Sequence, residues 1–320
     1  MSGGAKILVK VAEVVTVNDL IKRFRFVTRD GAALPAFSGG AHTVVEMDDH
    51  GTRRMNPYSL MGDPNDGTGY SISVRRDDGG RGGSLYLHRH VTPGMEMVLS
   101  HPINLFPLDL RARKTLMIAG GIGITPFLAQ IAQLTQSGGR FELHYSARAP
   151  SLGAYMGELT ARHGERVHLY FDDQKHFIDL KSVLALQPMG THLYVCGPKG
   201  MINWVRGTAA AMGWPREAVH YEEFLAPGTG TPFTAYLQAS GKSVHVGTNQ
   251  SLLEAIEAAG VDAPYLCRGG ACGQCETRVI SSDGTILHRD HWQTPEEHAE
   301  GHTIMPCVSR FEGTSLVLDR

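Results

Sequence analysis

Cys267-Arg268-Gly269-Gly270-Ala271-Cys272-Gly273-Gln274-Cys275 places three cysteines in a C-x4-C-x2-C run, and Cys307 supplies a fourth from farther along the chain. That is the plant-type spacing for a [2Fe–2S] cluster, whose two irons need four thiolates from one tight loop and one separate element. Glycines 269, 270 and 273 let the backbone wrap closely and turn N–H groups toward sulfur. A four-cysteine zinc site shows paired C-x2-C knuckles, and only one such pair is present. A disulfide cage calls for an oxidising compartment. The run therefore predicts transfer of single electrons at this end of the chain.

Upstream of the run, Ser251 to Ala259 reads as a helix, preceded by a hairpin. Before these comes Ala226-Pro227-Gly228-Thr229-Gly230-Thr231-Pro232, the strongest linker signal in the sequence. Earlier still, Thr115 to Ala119 is a continuous apolar run followed by a glycine turn and an apolar helix from Pro126, the pattern of a buried parallel strand. Phe141–Ser146, Val167–Phe171, His192–Val195 and Ala218–Tyr221 are further strands with helical stretches between them, which predicts a doubly wound α/β sheet. The first part, up to about Pro107, alternates apolar and polar residues over Ile7–Val15, Ile21–Thr28, His42–Met47 and Tyr70–Val74, with turns such as Asp77-Asp78-Gly79-Gly80. That spacing predicts an antiparallel β-barrel. The expected modules are a barrel over 1–110, an α/β domain over 111–226, a linker over 227–233 and an α+β ferredoxin-like domain over 234–320.

With 320 residues and 42% apolar content, each module can build its own core. A net charge of −2 argues against a nucleic-acid partner. From Thr234 onward there are 11 acidic and 6 basic side chains. That imbalance suits either a docking face for a protein partner or plain solubility. No start-region segment resembles a signal peptide. The apolar stretch from Thr115 to Ala129 is glycine-interrupted and shorter than the roughly 18 residues a membrane span needs. A cytoplasmic protein, away from membranes and monomeric, is the expectation.

Gly120-Gly121-Ile122-Gly123-Ile124-Thr125-Pro126 follows a buried strand and opens a helix, so a pyrophosphate could approach its N–H groups. Cys196-Gly197-Pro198-Lys199-Gly200-Met201 does the same after another strand. Either turn alone is compatible with a structural role. Two at strand C-termini of one sheet favour a dinucleotide. Cys196 is either an ordinary buried thiol or a residue of the nicotinamide site.

With these motifs the chain resembles the ferredoxin–NADP reductase superfamily and, more closely, the phthalate dioxygenase reductase family, over nearly its whole length. The resemblance implies a flavin barrel, a nucleotide domain and a C-terminal β-grasp plant-type ferredoxin, in that order, which points to FMN. It implies that Gly121, Gly123, Thr125, Pro126, Cys196, Gly197 and Pro198 bind NADH, and that Cys267, Cys272, Cys275 and Cys307 hold the cluster. The family's flavin motif, Arg-x-Tyr-Ser, here reads Asn56-Pro57-Tyr58-Ser59, so Asn56 stands where the phosphate-binding arginine would be. Arg53 or Arg54 could supply the charge, and strand alternation alone does not say which faces the phosphate. Gly82, Gly83 and Ser84 resemble the second phosphate site. Ser73-Val74-Arg75 resembles the segment along the ring edge, where a cation would stabilise reduced flavin. Phe224, after Glu222 and Glu223, resembles the family's ring contact. Read without the resemblance, Tyr58, Ser59, Arg75 and Phe224 fit ordinary packing or surface roles as well. The nucleotide is expected to be NADH, although Arg148 could meet a 2′-phosphate and Asp172 and Asp173 add negative charge nearby.

His298 and His302, with Glu297, lack an H-E-x-x-H pattern, and a polar surface segment is expected there. His88 and His90 follow the phosphate turn, where surface roles are expected. No catalytic acid, base or nucleophile is required. The implied function is that of a reductase component passing electrons from NADH through FMN and the [2Fe–2S] cluster to a Rieske-type oxygenase. The alternatives are a stand-alone NADH-dependent reductase of a ferric chelate, quinone or haem protein, and a non-enzymatic electron carrier or redox sensor.

Overall fold

The computed structural model describes residues 6–49, 51–225 and 228–320, so Ala226 and Pro227 of the expected linker, with 1–5 and His50 of the barrel module, lie outside the described residues. Period-two alternation gives the first part its strands: β1 (Lys6–Asn18), β2 (Ile21–Thr28), β3 (Ala41–Asp49), β4 (Thr52–Ser59) and β5 (Tyr70–Arg75). After helix α1 (Gly83–His90) come β6 (Glu96–Ser100) and β7 (Ile103–Asn104). The sheet order is β4-β3-β6-β1-β2-β5, with β7 beside β3. A bridge between Met61 and Ser71 brings its two ends together. Phe24, Phe26, Tyr70 and Ile72 fill the interior, and α1 adds Leu87.

The continuous apolar runs form a parallel sheet, as their double-sided burial requires. Its elements are β8 (Lys114–Gly120), α2 (Thr125–Ser137), β9 (Phe141–Ala147), α3 (Met156–His163), β10 (Val167–Phe171), α4 (Leu180–Ala185), β11 (Thr191–Cys196), α5 (Lys199–Ala211) and β12 (Val219–Glu222). Strand order is β10-β9-β8-β11-β12, with every pair parallel. The direction of winding reverses between β8 and β11, so both expected turns leave the sheet side by side at the switch point where such sheets bind ligands.

The last module contains β13 (Phe233–Leu237), β14 (Lys242–Val246), α6 (Leu252–Ala258), β15 (Thr277–Ser282), β16 (Thr285–Leu287), α7 (Pro295–Glu300), β17 (Thr303–Ile304), β18 (Arg310–Glu312) and β19 (Leu316–Leu318). The sheet runs β14-β13-β19-β15-β17 and clasps α6 through Leu252, Leu253 and Ile256, the β-grasp arrangement. Ser251 and Glu254 cap α6 reciprocally, which satisfies two amides that would otherwise be orphaned. The pair β16 and β18 was not foreseen, because each strand is only three residues long.

Polar contacts join the modules. Gln130 Nε2 donates to Phe106 O (2.8 Å), and Gly39 N donates to Gln133 Oε1 (2.7 Å). Arg310, buried, donates to the carbonyls of Thr231 (2.8 Å), Gly247 (3.2 Å) and Gln250 (2.8 Å). The second half of the expected linker is thereby tied to the ferredoxin module rather than running free.

Candidate electron-transfer site

β4 presents Arg54, Asn56 and Tyr58 at alternate positions, hence on one face. That face looks onto the turn before α1. A side chain on Gly82 would meet the Arg54 guanidinium at 3.3 Å, and one on Gly83 would overlap the Asn56 amide at 2.3 Å. Gly82 sits at φ +101, a conformation that only glycine adopts readily. Arg53, on the opposite face, pairs with Glu46 at 2.6 Å. The cation beside the turn is therefore Arg54, itself held by Asp49 at 3.1 Å. Counting back from Tyr58 in steps of two would have selected it.

Asn56 Nδ2 donates to the Tyr58 hydroxyl (3.3 Å), and burial pushes the Tyr58 phenol up to about 12. Ser59 Oγ is buried without a hydrogen-bond partner, as are Arg81 Nε and Nη1 in the neighbouring turn. Orphaned donors and a cradle that a Cβ would fill fit a bound flavin phosphate. Ser84 is otherwise engaged: its hydroxyl accepts from Asp77 N (3.0 Å) and braces the turn. Ser73 bonds Tyr155 of the nucleotide module. Val74 is a core residue whose carbonyl meets His88 Nε2 at 2.8 Å. On this segment the exposed side chain is Arg75.

Arg75 lines a crevice of about 700 Å³ together with Gly121, Gly123, Gly197, Pro198 and Phe224. Phe224 is 47% exposed. The glycines divide the work. A side chain on Gly123 would strike the Cys196 carbonyl oxygen at 2.3 Å, whereas one on Gly121 would meet nothing. Gly123 thus lets two turns interlock, and Gly121 leaves the crevice wall bare. Thr125 bonds back to Ile122 O (3.0 Å) and Pro126 opens α2, both buried and structural. Cys196 is fully buried, with its thiol raised by that burial and then by Glu222. The Glu222 carboxyl has a buried Oε2 without a partner, and its burial pushes it up to about 8. The sequence places Glu222 only as the start of the Glu-Glu-Phe segment, since nothing local signals the burial of its carboxyl. Arg148 and Asp172 both stand at the crevice edge.

The four cysteines converge in the ferredoxin module. Cys275 and Cys307 bring their sulfurs to 3.3 Å, and Gly269 N donates to Cys267 Sγ at 3.4 Å. The thiols act as two pairs: bonding to Cys272 draws Cys267 down to about 5, and bonding to Cys307 draws Cys275 down. Two thiol pairs with amides aimed at sulfur fit a two-iron cluster. Cys272 is the least buried of the four. Trp292, 52% exposed, lies against Gly273, and its Nε1 donates to Glu276 Oε2 at 3.4 Å.

Two further groupings of metal-ligand type occur among the described residues: Glu142, His144 and His168, and His288, Asp290 and His298. In each, the two imidazoles stack nearly parallel, at 19° and 18°, so their lone pairs do not converge on one ion. Among the described residues, no helix is long and apolar enough to cross a membrane.

Residues 97–219 match the family model described as dimethylamine monooxygenase subunit DmmA-like, N-terminal domain, and residues 235–312 match the 2Fe-2S iron-sulfur cluster binding domain. The chain is 43% identical to a heme-dependent oxidative N-demethylase beta subunit of Ectopseudomonas mendocina, covering 97% of this chain and 98% of the relative. It is 41% identical to a carnitine monooxygenase reductase subunit of Acinetobacter baumannii, covering 97% and 96%. The solved structure of phthalate dioxygenase reductase superposes with a TM-score of 0.89 at 37% identity, covering 99% of this chain and 98% of that one.

Proposed function

The chain belongs to the phthalate dioxygenase reductase family, and on that premise we propose that it is the reductase component of an oxygenase system, drawing electrons from NADH through FMN and a [2Fe–2S] cluster. One observation carries the reading: a single crevice is walled by Arg75 of the barrel and by both glycine turns of the nucleotide sheet. A dinucleotide laid along those turns would present its nicotinamide beside the flavin strand.

The flavin, when bound, supplies the conversion of a hydride into two single electrons. The protein's own tasks are binding, orientation and electrostatics. Arg54, Asn56, Ser59 and the Gly82–Gly83 turn hold the phosphate; Arg75 places a cation at the ring edge. Gly121, Gly123, Gly197 and Pro198 shape the nucleotide path, and reacting atoms held about 3–3.5 Å apart gain most from such positioning. Cys267, Cys272, Cys275 and Cys307 hold the cluster, with Cys272 toward solvent.

Similarity to reductase subunits along the whole chain favours a component over a stand-alone reductase or a plain carrier. The acceptor in this reading is a Rieske-type oxygenase docking on the acidic ferredoxin module of a monomeric, cytoplasmic reductase. A second reading, a haem-containing oxygenase, is favoured by the 43% identity to a subunit of a heme-dependent demethylase. Anaerobic reduction with NADH, with the released flavin identified by chromatography, tests the electron path. Absence of flavin would sink it. Reoxidation of the reduced protein by a purified Rieske oxygenase or by a haem oxygenase separates the two acceptors.

A further inference from the structure

Arg81 lies in the turn that faces Arg54 and Asn56, yet its side chain reaches another module. A single nitrogen, Nη2, donates to both carboxylate oxygens of Glu254, at 2.6 and 2.7 Å. The pair is nearly sealed from solvent, with side chains 9% and 12% exposed. Glu254 is itself fixed, because its Oε2 also accepts from Ser251 N (2.8 Å) in the capping box of α6. The remaining donors of the guanidinium, Nε and Nη1, are buried and have no partner. Leaving such donors unsatisfied is costly, and an anion at the turn would satisfy one of them.

We propose that Arg81 is held in common by two neighbours: Nη2 fastens the ferredoxin module through Glu254, while one of its unpartnered donors, Nε or Nη1, binds the flavin phosphate, so that loading the flavin tightens the ferredoxin module against the barrel. The proposal rests on the flavin reading of the Gly82–Gly83 turn and deepens it. A phosphate on either donor locks the guanidinium in the pose that Glu254 requires. By linkage, docking of the ferredoxin module then favours flavin binding by the same factor. Arg81 is in this sense a positioning residue for the step from flavin to cluster.

The test uses the full chain, stripped of flavin with its cluster retained, and titrated with FMN by fluorescence quenching. Amide hydrogen exchange in Leu252–Ala258 is followed with and without FMN. In the natural protein, FMN should slow exchange at these amides about tenfold, within the usual range of coupling between sites. Glu254→Gln should still bind FMN, but its α6 exchange should no longer respond. Arg81→Lys should weaken FMN binding about 10- to 100-fold, the loss of charged hydrogen bonds, and abolish the response as well. The proposal is overturned if FMN binds while α6 exchange stays unchanged, or if Arg81→Lys binds FMN as the natural protein does. An apoprotein that takes up no FMN overturns the flavin reading itself, and the coupling with it.

Discussion

Adding one methyl group at Gly123 should separate nucleotide binding from flavin binding. The new Cβ would lie 2.3 Å from the Cys196 carbonyl oxygen, 2.6 Å from its carbon and 2.8 Å from Gly197 N, all backbone atoms. No flexible side chain can yield. Ordinary contact begins at 3.4 Å, so the two turns must part by about 1 Å. Overpacking of this kind costs roughly 1–3 kcal/mol, and misplacing a bound reactant by about 1 Å can slow its reaction about 100-fold. Gly123→Ala should therefore melt lower yet retain its flavin and cluster spectra, because the clash falls on the Cys196–Gly197 backbone and not on the phosphate turn at Gly82–Gly83 or on the four cysteines. Stopped-flow bleaching of the flavin by NADH should slow by about two orders of magnitude, while reduction by dithionite stays unchanged. Gly157→Ala, the same chemical change in α3 with nothing within 4 Å, provides the control and should be neutral or slightly stabilising. If Gly123→Ala bound and oxidised NADH at the natural rate, the claim that this glycine sets the crevice would be wrong.

Three other outcomes are expected. Arg54→Ala should weaken FMN binding about 10- to 100-fold by loss of a charged hydrogen-bond donor, whereas Arg53→Ala should change it less than about twofold because Arg53 is half exposed on the opposite face of the strand, paired there with Glu46; equal effects in a flavin titration would refute the face assignment. Glu222 keeps its proton in the folded chain up to about pH 8 but releases it in the unfolded chain at an ordinary carboxylate value. Stability should then fall as pH rises through that window, by at most about 1.4 kcal/mol per pH unit, and melting curves of Glu222→Gln should lose this slope. Cys272→Ser should preserve NADH-to-flavin transfer and lose electron delivery to cytochrome c; surviving cytochrome c reduction would mean that electrons leave by another route.

What the sequence made readable was chiefly local. The cysteine run, the buried strand before Gly120 and the alternating barrel strands each carry their pattern within a dozen residues, and the three-module fold follows from them. Arg54 was within reach, since Tyr58, Asn56 and Arg54 share the parity of one strand face. The burial of Glu222 and the partner of Arg81 were not. Burial of Glu222 arises where β12 lies beside β11, and the partner of Arg81 stands 173 positions away in another module. Resemblance also named residues whose side chains are otherwise engaged: Ser73 with Tyr155, Ser84 with Asp77, and Val74 in the barrel core.

The buried guanidinium of Arg310 has a practical consequence for anyone wishing to move this iron–sulfur unit onto another enzyme. Its bonds to Thr231 and its proximity to Gly230 lie upstream of the first strand of the β-grasp sheet. A graft cut at residue 234 would discard the Thr231 carbonyl and leave Arg310 Nη2 with only the longer bond to Gly247 O, 3.2 Å. A graft begun at residue 228 would carry the clasp along. The transplantable piece is thus longer than the folded sheet and begins at Gly228.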